Sequence, residues 1–206
     1  METRILRAGD RVPTPWSNGG GVTREITADP PGAGLGDFDW RVSLADVVRD
    51  GPYSALPGVD RIITVVDGAG MVLTIDGDAR PPVLPLHPFA FPGDAATGCR
   101  LTGGPLVNLN VMTRRGLAAA MVGIVDGTHT AKVPEHRSVL LVALDDGVAF
   151  ALDDGSGPAG VSADAPAGEL ARFDAVLVTG ADAGGAHLRS EGRAAVITIS
   201  PVGDAL

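Results

Sequence analysis

The sequence predicts an all-β protein, and three observations carry that expectation. The 206 residues include 29 glycines and 16 prolines, above the average usage of roughly 7% and 5%. The longest stretch free of both, residues 37–50, spans 14 residues, which excludes long helices, helical bundles and coiled coils. The segments between these breakers are rich in β-branched residues and alternate with period 2, the spacing of a strand rather than of a helix. With 45% hydrophobic and 20% charged residues, the composition is that of a folded chain and not a disordered one.

Each strand follows from its local pattern. Residues 22–28 begin where a glycine triplet ends. In 38–46, Phe38, Trp40, Val42 and Leu44 share one face while Asp39, Arg41 and Ser43 share the other; residues 47–50 add a helical turn at most. Residues 61–67 and 71–76 are apolar runs joined by a tight turn over 67–70. Residues 106–112 place Asn108 and Asn110 opposite Val107, Leu109 and Val111. Residues 119–125 lie in the longest apolar run, 117–125, which falls well short of the ~20 residues that span a bilayer. Strands are expected again over 138–144, 148–152, 175–179 and 195–200.

Two of these hairpins resemble one another. Arg61-Ile-Ile-Thr-Val-Val-Asp-Gly68, with a strand ending Asp76-Gly77, is matched by Arg137-Ser-Val-Leu-Leu-Val-Ala-Leu-Asp-Asp-Gly147, with a strand ending Asp153-Asp-Gly155. The offsets are 76 residues for the arginines, 79 for the first glycine and 78 for the second. Pro88-Phe-Ala-Phe-Pro-Gly93 and residues 106–112 have looser counterparts in 173–180 and 194–202. A duplicated β unit explains the spacing, although Asp-Gly turns between apolar strands also recur by chance. Units of this size suit jelly-roll or cupin-type barrels, and two in tandem make a bicupin. The natural boundary is Arg114-Arg115-Gly116, giving expected domains of 1–115 and 116–206.

Sixteen basic and 25 acidic residues leave a net charge of −9. Such a chain repels nucleic-acid phosphates, and no basic run offsets this, so no direct nucleic-acid partner is expected. The single cysteine, Cys99, fits a reducing cytoplasm. No signal peptide or membrane segment is visible, and a cytoplasmic protein with no membrane partner is expected.

Polar chemistry concentrates in the first half. Gly19, Gly20 and Gly21 can either present backbone N–H groups to an anion or form a corner entering a strand. Arg24, Arg41 and Arg61 lie in strand settings. An arginine inside a barrel needs a carboxylate or an anionic ligand, and Glu25, Asp39 and Asp60 are available partners. Asn108 and Asn110 either line a polar pocket or face water. The four histidines, His87, His129, His136 and His187, form no His-x-His or His-x₃-His pair, so no metal and no cofactor is expected. Cys99 has no base that the sequence places beside it, and no Gly-x-Ser-x-Gly elbow occurs, so no catalytic residue is assigned.

Several motifs occur together and in order. They are Pro15-Trp-Ser-Asn-Gly-Gly-Gly-Val-Thr-Arg-Glu-Ile26, Phe38-Asp-Trp-Arg-Val-Ser-Leu-Ala-Asp46, Gly51-Pro-Tyr-Ser-Ala-Leu-Pro-Gly-Val-Asp-Arg61, Phe91-Pro-Gly-Asp94 and Leu109-Asn-Val-Met-Thr-Arg-Arg-Gly116. As a set they resemble the HutD/Ves family of cupin-like proteins. The resemblance implies a double-stranded β-helix bicupin without the usual metal ligands. It further implies an association with bacterial histidine utilisation, limiting expression of that pathway rather than catalysing a step.

The implied ligand is a small carboxylate metabolite such as urocanate, N-formylglutamate or formate. The implied ligand-binding residues are Asn18, Thr23, Arg24, Glu25, Arg41, Ser43, Arg61 and Asn110. Asn108 departs from the family pattern, where an aspartate is common, and no ligand contact is assigned to it. A homodimer and a transcription-regulator partner are the expected macromolecular associations. The alternative is a metal-independent cupin enzyme, an isomerase, epimerase or amide hydrolase, with Glu25 as its acid/base group.

Overall fold

The structure, a computed structural model, describes residues 1–153, 166–180 and 186–203. Gly155, the second glycine of the expected repeat, lies outside the described residues. Among the described residues there are nineteen strands, one short 3-10 turn at Ala8–Asp10 and no α-helix. The chain divides into two compact units. One is Arg11–Ala119; the other combines Met1–Asp10 with the chain from Ala120 onward. The division therefore falls just after Ala119 rather than at 115/116, and the first ten residues belong with the second unit.

The first unit is built from β2 (Pro13–Pro15), β3 (Gly21–Asp29), β4 (Trp40–Val47), β5 (Gly51–Tyr53) and β6 (Val59–Asp67). It continues with β7 (Met71–Ile75), β8 (Asp78–Ala79), β9 (Phe89–Pro92), β10 (Thr97–Leu101) and β11 (Leu106–Arg114). These form a six-stranded sheet, β2-β3-β4-β11-β6-β9, and a four-stranded sheet, β5-β10-β7-β8. The second unit holds β1 (Glu2–Leu6), β12 (Ala118–Val125), β13 (His129–Val133), β14 (Ser138–Ala143) and β15 (Val148–Asp153). With β16 (Ala167–Leu170), β17 (Ala175–Thr179), β18 (Ala186–Glu191) and β19 (Ala194–Pro201), it forms the sheets β1-β17-β14-β19-β12 and β13-β18-β15-β16.

The two units repeat one topology. Replacing β4 through β11 by β12 through β19, in order, converts β4-β11-β6-β9 into β12-β19-β14-β17 and β5-β10-β7-β8 into β13-β18-β15-β16. The hairpins at β6–β7 and β14–β15 are those whose sequences resemble one another. In the first, Gly68 takes φ +97°, and a Cβ there would lie 2.7 Å from Leu106 Cβ, so this turn requires glycine.

Each core lies between the two sheets of its own unit. In the first, Val47, Ile63, Val65 and Leu106 from the six-stranded sheet meet Met71, Leu73, Ile75 and Cys99 from the other. In the second, Val139, Leu141, Val176 and Val178 meet Val148, Phe150, Leu152 and Leu188. Burying such rows contributes about 1.5–3 kcal/mol per large side chain. The inward rows of the second core are mainly apolar, with the buried Ser190 among them on β18, whereas the first carries several polar side chains and Arg61.

Candidate functional site

Strand register decides which polar residues share the inward face of the first unit. Residues directly opposite on neighbouring strands point the same way. Val47 packs in the core, and pleating therefore turns Ala45, Ser43 and Arg41 inward with it. Leu106 pairs with Val47, Asn108 with Ala45, Asn110 with Ser43 and Met112 with Arg41. On the next strand Gly21, Thr23 and Glu25 pair with Val47, Ala45 and Ser43. On β6, Arg61 lies in the row of Ile63 and Val65, opposite Met112. Thr23, Glu25, Arg41, Ser43, Arg61, Asn108 and Asn110 thus occupy one face of a single sheet.

Arg61 is the centre of this face. It is 5% exposed, and among the described residues no carboxylate pairs with it. One terminal nitrogen donates to Asn110 Oδ1 at 2.8 Å, and its Nε has no hydrogen-bond partner. The guanidinium carbon stands 5.1 Å from the ring centroids of both Tyr53 and Phe91. Two aromatic faces offset part of the cost of burying the charge, yet most of the five N–H donors remain unspent. Burial pushes the Arg61 guanidinium down to about 10, the Tyr53 hydroxyl working against this, so the group stays cationic at neutral pH.

The amides form a relay behind it. Asn110 Nδ2 donates to Asn108 Oδ1, and Asn108 Nδ2 donates to the Tyr53 hydroxyl at 3.2 Å. Tyr53 in turn donates to Met71 Sδ at 3.5 Å, and burial pushes its own titration up. Trp16 stands edge-on to Tyr53, with centroids 6.1 Å apart, and its Nε1 donates to Thr23 Oγ1 at 2.8 Å. Tyr53, Phe91, Trp16 and Asn108 were not among the expected ligand residues. Tyr53, Phe91 and Trp16 all lie inside the quoted motifs, so their positions were on view in the sequence. What was not on view is that a side chain of β6 lies over rings from both β5 and β9.

The other expected residues fall into separate roles. Arg41 Nε donates to Glu25 Oε2 at 2.7 Å, an ion pair on the same face as Arg61. Ser43 is buried on that face. Arg24 points the opposite way, where it pairs with Asp46, so register separates it from the other candidates. Asn18 caps the turn before β3: its Oδ1 accepts from Gly20 N at 2.8 Å and its carbonyl accepts from Arg49.

The glycine triplet is accounted for by the same turn. Gly19 N donates to the Trp16 carbonyl and Gly20 N to Asn18, so these two amides are spent within the turn. A Cβ on Gly21 would lie 2.3 Å from the Asp46 carbonyl oxygen. Of the two readings left open for the triplet, the tight corner entering a strand is the one this geometry describes.

Among the described residues no group of three or more His, Cys, Asp or Glu side chains could hold a metal ion. His87 Nδ1 lies 2.8 Å from the Pro85 carbonyl oxygen in an exposed loop. Cys99 is buried 3.5 Å from Met71 Sδ, and burial pushes its thiol up, away from the reactive thiolate. The inward face presents groups that are able to hold a small anion. It offers a buried cation, a hydrogen-bonding amide relay, a hydroxyl and aromatic walls. No helix among the described residues is long and apolar enough to cross a membrane.

Known proteins share this chain's sequence and fold. The HutD family model matches residues 8–198. An uncharacterised 21.2 kDa protein in the hutC 3′ region of Pseudomonas putida is 42% identical over 127 residues, 62% of this chain and 66% of that one. Protein Ves of Cronobacter sakazakii is 38% identical over 116 residues, 56% of this chain and 62% of its own length. Both matches span just under two thirds of the relative. The structure of HutD from Pseudomonas fluorescens, in a formate condition, superposes with a TM-score of 0.81 at 37% identity, covering 98% of this chain and 100% of that one. Vicilin from hazelnut, at 8% identity and a TM-score of 0.61, shares the cupin fold alone.

Proposed function

The chain belongs to the HutD family, and from that premise we propose that it is a receptor for a small carboxylate metabolite that modulates histidine-utilisation gene expression. One observation carries the binding half of this reading: Arg61 is buried, cationic and, among the described residues, without a carboxylate partner. An uncompensated buried charge costs several kcal/mol, and a protein keeps one where a ligand completes it. A carboxylate accepts two parallel N–H bonds from a guanidinium. Thr23, Ser43 and the Asn108–Asn110 relay supply the polar contacts that would orient the rest of a small molecule. Urocanate, N-formylglutamate and formate are the candidates, graded by the length behind the carboxylate.

The regulatory half is supported by the family and by the hutC-region name of the Pseudomonas putida relative. The receptor acts in the cytoplasm, needs no metal, and passes its signal to a transcription regulator rather than to DNA, because a chain of net charge −9 is repelled by phosphates. Isothermal calorimetry with each candidate on the wild-type chain and on Arg61→Gln tests the binding. We expect saturable binding of at least one carboxylate and a loss of roughly 10²-fold or more in the variant, the cost of removing a charged, desolvated partner. Equal affinity in the variant, or no binding at millimolar ligand, sinks the reading. The enzymatic alternative predicts turnover in the same cell, abolished in Glu25→Gln.

A further inference from the structure

Asn108 is the least exposed polar side chain on the inward face of the first unit, at 0%. It stands opposite Ala45 on β4 and Val65 on β6, in the row next to that of Asn110. A side-chain amide can face either way, and its neighbours decide which. The Tyr53 hydroxyl donates to Met71 Sδ, which leaves its oxygen to accept from Asn108 Nδ2. Asn108 Oδ1 is thereby turned to Asn110 Nδ2, and Asn110 Oδ1 to the Arg61 guanidinium. With both amides reversed, an NH₂ group would face the cation, donor against donor.

A carboxylate at position 108 would satisfy the same relay. One oxygen would accept from Asn110, and the other from Tyr53 once its hydroxyl turned from the sulfur to donate. Only the charge would differ. An aspartate there, separated from Arg61 by the Asn110 amide alone, would supply the counter-charge that Arg61 lacks among the described residues. The carboxylate of Glu25 on the same face is bonded to Arg41.

We propose that Asn108 is a positioning residue that sets the ligand class of this site. A neutral amide at this place keeps Arg61 oriented yet uncompensated, so that an anion completes the site and a neutral or cationic molecule does not. The inference rests on the receptor reading above and names the buried residue that leaves the empty site short of one negative charge.

The full chain and its variants test this, with formate and urocanate as probes. Asn108→Asp replaces a single NH₂ group by oxygen. We expect the ligand-free variant to unfold at a higher temperature than the wild type, because a buried cation gains a partner. We also expect it to bind both probes at least about tenfold more weakly, because the new carboxylate competes with theirs for Arg61. A gain in stability joined to a loss of affinity is not the signature of a merely structural asparagine. In the Arg61→Gln background the stability effect reverses sign: the aspartate is then the unpaired charge and lowers the unfolding midpoint. Tyr53→Phe keeps the ring over Arg61 and removes only the hydroxyl that orients Asn108, and it weakens both probes by about threefold or more.

Three results overturn the proposal while the receptor reading stands, provided that Arg61→Gln loses the probes. They are a lower midpoint in Asn108→Asp with Arg61 present, wild-type affinity in Asn108→Asp, and wild-type affinity in Tyr53→Phe. A wild type that binds neither probe removes the receptor reading itself, and this inference with it.

Discussion

Arg61 and Arg24 show how one residue type takes opposite roles one strand face apart. Arg24 has Asp46 beside it, whereas Arg61 has an amide and two rings. A guanidinium over aromatic rings is held by its plane as well as by its charge, which lysine cannot reproduce. Arg61→Lys keeps the cation and loses both the fork and the stacking. We expect it to weaken carboxylate binding by about 10- to 100-fold while leaving the far-ultraviolet dichroism unchanged. Arg24→Gln should leave the affinity within about twofold of wild type, because its half-buried pair with Asp46 lies off the binding face. Calorimetry on the two variants side by side separates the assignments. A loss in Arg24→Gln equal to that in Arg61→Lys would place the ligand on the wrong face of the sheet.

At the scale of elements, strands with an unbroken β-branched or apolar pattern were legible and those without one were not. Expected segments 22–28, 61–67, 106–112 and 175–179 lie within or coincide with β3, β6, β11 and β17, because interior strands are buried on alternate or both faces and keep a β-branched pattern. Phe38 was expected to open a strand, but β4 begins at Trp40. Strands such as Pro13–Pro15, Thr97–Leu101 and His129–Val133 have prolines, glycine or charge in place of that pattern. They are strands because a neighbour pairs with them, a tertiary fact that local propensity does not carry.

The binding face was half legible for a related reason. Period 2 grouped Arg41 with Ser43, but a register shift between Glu25 and Thr27 sets how the polar run of β3 meets β4. A bulge of this kind leaves no clear mark in the sequence. Gly21 begins that strand with its Cα packed against the Asp46 carbonyl. Gly21→Ala should push β3 off β4 there and destabilise the first unit by about 2 kcal/mol, read as a lower unfolding midpoint. An unchanged midpoint would mean that the corner can shift without loss.

Across the whole molecule, the duplicated topology makes sequence order a poor guide to which residues fold together. Residues 2–6 pair with residues 175–179, so β1 forms the edge of a sheet whose other strands come more than a hundred residues later. The join is fastened at one carboxylate. Asp174 accepts from Arg7 at 2.7 Å, from Ala8 N at 2.6 Å and from Ala171 N at 3.3 Å. Burial works to raise its titration, and the bonds from Ala8, Arg7 and Ala171 outweigh it and hold the carboxyl below its ordinary 3.8.

A carboxyl depressed by folding contributes stability above its unfolded value and loses it as pH falls through the folded one. The fastening is therefore complete at neutral pH and released only below about pH 4. Asp174→Asn should lower the stability of the second unit at pH 7 by about 1–3 kcal/mol and flatten its decline in acid. Deleting residues 1–10 should cost more, since it also exposes the edge of β17, while the carboxylate affinity of Arg61 in the first unit stays intact. Calorimetric unfolding with and without ligand distinguishes the units, because only the first shifts with ligand. If deletion destabilised the ligand-responsive transition instead, the assignment of the first ten residues to the second unit would be wrong.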